Sequence, residues 1–337
     1  MVESYNCFCA DEKKLVSKCA PIIARFVKIR VRENRWNSSY EYNMRAFDRM
    51  LALNYPNDEQ ISQEMIEHFA QRRGDETNTT QRARIHCVIE LAKFIIKTEN
   101  REDLNVTGLK FKNPRKRRFH YMEEEQISRF FQYCDNVGQF LSFHASHLKS
   151  RRMTILIIPI FYRLLYSSGI RVNEARYLLL SDVDLTEGVI RVKQAKGGNE
   201  YLIVLHDTML TELRKYDAAM DKVVPNRDYF FPSYQGGCLS KMWQASWFRK
   251  IWDKANGKNS QVIAYDFRHN YAITNINSWP QDGREFFDRL TALSKSMGHA
   301  KIDSCIYYYE LTPRFGELLE KLSDEAIRAM IMQMESE

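Results

Sequence analysis

The sequence has 337 residues, of which 44% are hydrophobic and 28% charged, so it holds enough apolar material for two or three globular domains and is not a disordered chain. Lysine and arginine outnumber aspartate and glutamate by 50 to 43, and the formal net charge of +7 favours a polyanionic partner such as nucleic acid. Membrane insertion is not expected, because Pro159 and Arg163 break the longest apolar stretch and no run reaches the roughly 18 apolar residues of a spanning helix.

The N-terminal segment has an acidic residue at Glu3 and no basic stretch followed by an apolar block. We therefore expect no signal peptide and a cytoplasmic location. The seven cysteines are scattered, odd in number and without a Cys-x-x-Cys pair, a pattern typical of reduced thiols. They are Cys7, Cys9, Cys19, Cys87, Cys134, Cys238 and Cys305. We expect no metal and no other cofactor.

Residues 1–108 are predicted to form a helical domain. Over residues 12–98 the apolar residues recur at intervals of three and four, which indicates a bundle that we estimate at four helices. Asn57 or Asp58, and Asn78 or Thr79, are expected to cap the helices that follow two polar breaks. The arginines of this region are candidates for nucleic-acid contact or for a solvated face, namely Arg72, Arg73, Arg82 and Arg84.

Residues 109–120 lose this periodicity and are predicted to form a basic linker between two domains. Six basic side chains fall within nine positions, namely Lys110, Lys112, Arg115, Lys116, Arg117 and Arg118. They suit contact with a nucleic-acid backbone, although a solvated linker would have the same composition. Glu123, Glu124 and Glu125 then provide the acidic first turn of a new helix.

Residues 121–313 are predicted to form a second domain that is mainly α with a small β-hairpin or sheet. Residues 153–166 are apolar on nearly every face, which predicts a buried central helix, and a short helix is expected over residues 171–180. Residues 188–193 and 201–205 have the composition of two strands, with Lys196 in the turn between them. Further helices are expected near residues 209–220, 240–255, 266–276, 284–297 and 304–310.

Three segments of this second domain combine residues that suit phosphate chemistry. Arg171 follows a Ser-Gly turn at a helix start, and Arg268 lies between Phe267 and His269 near another. Met297, Gly298 and His299 end a helix, and Tyr308 follows nine residues after the histidine. An arginine beside a helix start can bind an anion, cap the helix or form a salt bridge. Each segment alone is therefore ambiguous.

Together, in this order and at these separations, the segments resemble the tyrosine recombinase family, over about residues 121–313. The resemblance covers the N-terminal bundle only as a general plan, which in that family is a core-binding domain for DNA. It implies an enzyme that cuts and rejoins double-stranded DNA through a covalent phosphotyrosine, without metal. The implied catalytic residues are Arg171, Lys196, Tyr265, Arg268, His299 and the nucleophile Tyr308, supported by Glu174 and His269.

The roles follow from the chemistry of that resemblance. Two arginines would hold the charge of a pentavalent phosphorus, and Lys196, preferred to Lys193, would protonate the leaving 5′-oxygen. Tyr265 stands where the family usually has histidine, so it either accepts a proton or hydrogen-bonds the phosphate. Of three consecutive tyrosines, Tyr308 has the expected spacing; Tyr307 and Tyr309 are assigned to packing, with Tyr309 as the second candidate nucleophile.

Residues 314–337 are predicted to form an amphipathic tail helix, which packs either on its own domain or, as the resemblance implies, on a neighbouring protomer of a homotetramer bound to two DNA sites. Three other functions use the same fold and remain open. They are a DNA-binding accessory protein without catalysis, a phosphotyrosine-type topoisomerase and a telomere resolvase. The presence of the complete set of catalytic residue types argues against the first.

Overall fold

A computed structural model describes residues 7–109, 119–141, 148–193, 200–258, 260–279 and 283–298, with the side chains of residues 283–287 outside the description. The chain divides into two compact units, Met1–Arg117 and Arg118–Glu337, here called the N-terminal and C-terminal units. No helix within the described residues is long and apolar enough to span a bilayer.

The described part of the N-terminal unit is a bundle of four α-helices, as predicted. They are α1 Ala20–Arg32, α2 Ser38–Asn54, α3 Gln63–Ala70 and α4 Asn78–Glu99, preceded by two 3₁₀ turns. The predicted caps were wrong, because Ser62 Oγ accepts from Met65 N to cap α3 and Thr77 Oγ1 accepts from Thr80 N to cap α4. Both are hydroxyl residues directly before the first helical turn, the usual N-cap choice.

Two acidic residues of α2 hold the segment that precedes α1. Glu41 accepts hydrogen bonds from Cys9 N at 3.0 Å and Trp36 Nε1 at 2.8 Å, and Asp48 accepts from Val16 N at 2.9 Å. Burial, reinforced by Glu41, raises the pKa of the Cys7 thiol to about 12. The described cysteines are all free thiols, in line with the reduced state expected from the sequence.

The C-terminal unit is mostly helical and contains one small sheet. Its helices are α5 Glu124–Asp135, α6 Leu148–Ser168, α7 Val172–Arg176, α8 Asp207–Val223, α9 Lys241–Asn256, α10 Asp266–Ser278 and α11 Gly283–Ser296. The strands are β1 Val183–Asp184, β2 Val189–Val192 and β3 Tyr201–Val204, antiparallel in the order β1-β2-β3. The fold class predicted from the sequence is confirmed, and β1 adds a third strand to the predicted hairpin.

The central helix α6 is buried, as its apolar composition predicted. It contributes Ile157, Phe161 and Leu164 to a core whose rings include Phe130 of α5 and Phe248 of α9, all of them buried. A smaller apolar cluster joins α10 to α11. Because α10 contributes to both clusters, the two clusters together fix the positions of α6, α10 and α11 relative to one another.

The short helix α7 ends at Arg176, so the prediction that it continues to residue 180 was wrong. The following backbone pairs with a distant segment instead: Phe230 N donates to Leu178 O, and Leu180 N donates to Asp228 O, both at 2.8 Å. These long-range hydrogen bonds compete with continuation of the helix.

Candidate phosphate-binding site

Arg171 lies between two partners at the start of α7. Its backbone N donates to Glu174 Oε2 at 3.0 Å, and its Nη1 donates to Glu174 Oε1 at 2.7 Å. Its Nη2 donates to the carbonyl of Gly298 at 3.0 Å. The preceding Gly169 ends α6 with φ +64°, and the ring of Tyr271 fills the space that a Cβ there would need. The Ser-Gly turn seen in the sequence thus sets where Arg171 begins its helix.

Arg268 lies on the first turns of α10 and is only 2% exposed. Its Nη1 donates to the carbonyl of Gly169, and its Nη2 donates to the carbonyl of Met297, both at 2.6 Å. These carbonyls follow the C-terminal ends of α6 and α11, where a helix dipole places partial negative charge. One guanidinium therefore joins the turn that precedes Arg171 to the turn that precedes His299.

The two arginines converge on one backbone turn. Arg268 donates to the carbonyl of Met297, and Arg171 donates to the next carbonyl, that of Gly298. Gly298 has φ +61°, a left-handed conformation that a side chain would strain. Two guanidinium groups that are far apart in the sequence thus share one site, which is the arrangement that the sequence motifs required.

Glu174 orients Arg171 from inside the unit. The carboxylate is 5% exposed and also accepts a hydrogen bond from Tyr201 Oη of β3 at 2.6 Å. Burial acts to lower the pKa of Arg171, but the hydrogen bond and charge of Glu174 outweigh it and raise that pKa above its ordinary value. The Arg171 guanidinium is therefore charged over the whole working range of pH.

Tyr265 and His269 lie one turn apart on α10. Tyr265 is the residue before the first helical turn and is 38% exposed. Its ring meets the ring of His269 at 76° with centroids 5.2 Å apart, and the ring of Phe119 also lies against that histidine, with centroids 5.4 Å apart. The tyrosine is thus the more accessible of these two polar rings.

A cleft of about 640 Å³ opens beside this site. Its lining includes Arg171, Glu174, Tyr265, Lys241 and Arg249. Arg249, on α9, donates from Nη1 to Ser260 O at 2.6 Å and from Nη2 to Val262 O at 2.5 Å, so it holds the segment that leads into Tyr265. Arg249 could not be identified from the sequence, where it resembles any arginine on a helix surface.

Several residues predicted from the sequence have other structural roles. Lys193, the less preferred candidate for the acid, pairs with Asp182 at 2.5 Å. Within the described ranges, no group of three or more His, Cys, Asp or Glu is arranged to hold a metal ion. Arg84, named as a candidate for nucleic-acid contact or for a solvated face, lies on neither kind of surface, since it is 4% exposed and pairs with Glu76 at 2.8 Å.

Other predicted positions lie outside the described residues. They are Lys196, His299, Tyr308 with its two neighbours, the six linker residues from Lys110 to Arg118, and residues 314–337. Their roles stay predictions.

The chain matches the phage integrase family over residues 120–314, more than half of its length, and it belongs to that family. It is 33% identical over 148 residues to y4rE of Sinorhizobium fredii, described provisionally as an integrase/recombinase. That alignment covers 43% of this chain and 48% of that protein. It is 25% identical over 178 residues to tyrosine recombinase XerC of Actinobacillus pleuropneumoniae, covering 53% of each. The chain thus spans about half the length of these curated relatives.

Solved structures have the same fold. A XerH site-specific recombinase bound to a palindromic difH substrate aligns with TM-score 0.60 and 17% identity, covering 93% of this chain and 84% of that one. A lambda integrase dimer bound to a COC′ core site aligns with TM-score 0.56 and 14% identity, covering 86% of this chain and 94% of that one. The two-domain architecture predicted from the sequence is confirmed.

Proposed function

We propose that this protein is a tyrosine-type site-specific DNA recombinase, which cleaves and rejoins DNA strands through a 3′-phosphotyrosine. The observation that carries the proposal is the convergence of Arg171 and Arg268 on the consecutive carbonyls of Met297 and Gly298. Guanidinium groups are planar donors with several N–H bonds and stay charged, which suits them to nonbridging phosphate oxygens.

In the proposed reaction the scissile phosphate enters from the cleft that Arg171 and Tyr265 line. Negative charge grows on the nonbridging oxygens as phosphorus becomes pentavalent, and donors fixed in advance stabilise it without reorganising. Arg171 and Arg268 supply two such donors, and His299 adds a hydrogen bond. The hydrogen bonds that anchor the two arginines to Glu174 and to the backbone support this role.

The covalent steps need one nucleophile, one base and one acid. The Tyr308 phenol attacks phosphorus and gives its proton to Tyr265 or His299, while the bond from phosphorus to the 5′-oxygen breaks. Lys196 donates a proton to that oxygen, leaving a free 5′-hydroxyl and a 3′-phosphotyrosyl bond. A 5′-hydroxyl of a second strand then attacks the phosphotyrosine and gives its proton to Lys196, while the bond from phosphorus to Tyr308 breaks and the phenol takes back a proton from Tyr265 or His299. Bond energy is conserved, so the proposal needs no nucleotide cofactor, and it needs no metal because side chains hold the charge of the pentavalent phosphorus.

The proposed partner is double-stranded DNA, bound by a homotetramer across two sites. The basic residues from Lys110 to Arg118 would contact the backbone between the two domains. The tail of residues 314–337 packs either on its own protomer or on a neighbour. These assignments extend the DNA-bound state of the related solved structures to this chain.

The direct test uses a nicked duplex that carries the element sequence flanking the gene, in buffer with a chelator. We expect the wild-type protein to form a covalent protein–DNA adduct, because the proposed chemistry uses only side chains. Tyr308→Phe should abolish the adduct, while Tyr307→Phe and Tyr309→Phe serve as matched controls that retain it. An adduct that survives Tyr308→Phe would move the nucleophile to another residue.

Two outcomes separate the alternative functions. Binding of duplex DNA without any adduct would indicate an accessory protein that has lost catalysis. Relaxation of a supercoiled plasmid in the absence of partner DNA would indicate a topoisomerase.

A further inference from the structure

Tyr201 contacts both groups that hold Arg171 in place. Its hydroxyl donates to Glu174 Oε2 at 2.6 Å, the same oxygen that accepts from the backbone N of Arg171. Its ring lies against Gly298, where an added Cβ would overlap three ring atoms of the tyrosine. Since the carbonyl of Gly298 accepts from Arg171 Nη2, Tyr201 meets the partner at each end of the guanidinium.

Tyr201 is also the residue at which the β2–β3 hairpin meets this site. It begins β3 and pairs in register with Val192, the last residue of β2. The next residue, Lys193, is anchored separately by its ion pair with the buried carboxylate of Asp182. Both described ends of the hairpin are thus tied to the body of the unit, and one of these ties runs through the partner of Arg171.

The hydroxyl of Tyr201 acts as a hydrogen-bond donor and not as a base. Burial, followed by the charge of Glu174, raises its pKa far above the usual value for tyrosine, although Arg268 and Arg171 pull in the opposite direction. The phenol therefore stays protonated wherever the enzyme works.

We propose that Tyr201 is a positioning residue, which couples the hairpin to the orientation of Arg171 through Glu174 and Gly298. The inference rests on the proposed function, because positioning matters only if Arg171 binds the scissile phosphate. The Tyr201 hydroxyl fixes the Glu174 carboxylate, and the carboxylate fixes the Arg171 guanidinium. A small displacement of that guanidinium lowers the rate of cleavage more than it lowers the affinity for DNA. Movement of the hairpin and reorientation of Arg171 are then linked events.

The test compares Tyr201→Phe with Tyr216→Phe in the full-length protein. Tyr216 of α8 is a matched control, because it is buried in the same unit. Its hydroxyl donates to the carbonyl of Phe230 at 2.9 Å. We measure single-turnover adduct formation at saturating protein, DNA affinity and melting temperature. Tyr201→Phe should slow adduct formation roughly tenfold or more with affinity nearly unchanged. Tyr216→Phe should lower the melting temperature and leave the rate unchanged.

A double-mutant cycle with Glu174→Ala tests the route of the effect. If Tyr201 acts through Glu174, adding Tyr201→Phe to Glu174→Ala should slow the reaction no further. Losses that multiply, or a Tyr201→Phe variant as fast as wild type, would overturn the inference while leaving the proposed function intact. A wild-type protein without any adduct would instead overturn the proposed function, and the inference with it.

Discussion

At the site proposed to bind the scissile phosphate, the buried Arg268 would serve both the fold and the chemistry with one guanidinium group. Burying a charge costs several kcal/mol unless its donors are satisfied, on the order of what a small domain can spare. Arg268 meets that need with the carbonyls of Gly169 and Met297 at two helix ends. The same hydrogen bonds hold both backbone turns that present the neighbouring site residues. Substitution of Arg268 should therefore affect stability and rate together.

Arg268→Lys is predicted to lower both stability and cleavage. A lysine cannot span both carbonyls with one planar fork, so a buried acceptor loses its donor at a cost of about 1–3 kcal/mol. Removal of a fixed charge donor also slows adduct formation by about a hundredfold or more. Urea unfolding and single-turnover cleavage measure the two effects.

Arg171→Lys is the matched comparison, since the Arg171 side chain is 19% exposed and lies at the surface of the cleft. It should slow cleavage to a similar degree but change the free energy of unfolding less, because lysine keeps a positive charge beside the buried Glu174 carboxylate, and Gly298, whose carbonyl loses its donor, is part-exposed. Equal losses of stability in the two variants would contradict this division between a buried and an accessible guanidinium.

At the scale of elements, the long helices and the hairpin were predictable because a single strong period governs each. The wrong predictions concern helix ends: the caps of α3 and α4 are the hydroxyl residues directly before them, whereas the end of α7 is decided by distant partners. The end of α7 depends on backbone pairing with residues 228–230, about 50 positions away in the chain. No sequence pattern around Arg176 indicates that the helix ends there. Arg171 and Arg268 were found because they lie in short motifs. Tyr201 and Arg249 were missed because their partners are set by the fold.

Gly298→Ala is predicted to damage the turn that both arginines share. The residue has φ +61°, so alanine pays about 1–2 kcal/mol in backbone strain, and its Cβ would also displace the ring of Tyr201. Gly236→Ala is the matched control in the same unit, with φ +91° and open space around the added Cβ. Thermal melts and adduct assays should show loss of cleavage only for Gly298→Ala. If both substitutions reduced cleavage equally, backbone strain alone would account for the loss, and the contact between Gly298 and Tyr201 would have no part in it.

At the scale of the whole molecule, each unit has its own hydrophobic core. The cluster of the N-terminal unit uses residues from Cys7 to Leu109, whereas both clusters of the C-terminal unit use residues from Phe119 onward. No cluster among the described residues draws on both units. Such cores are the physical condition for domains that fold independently.

A protein of residues 119–337 is therefore predicted to fold alone and to keep the cleavage chemistry. It should melt cooperatively and form the covalent adduct, but bind DNA more weakly, because it lacks the N-terminal unit and the basic linker residues for which we propose contacts with the DNA backbone. Each lost contact lowers the slope of log affinity against log salt by about one.

The control is residues 148–337, which lacks α5 and so removes Phe130, a fully buried ring that packs on Tyr162, Phe248 and Phe267. This shorter protein should not fold. The prediction would be contradicted if residues 119–337 failed to fold while the full-length protein melted in a single transition. That result would show that the two units stabilise each other.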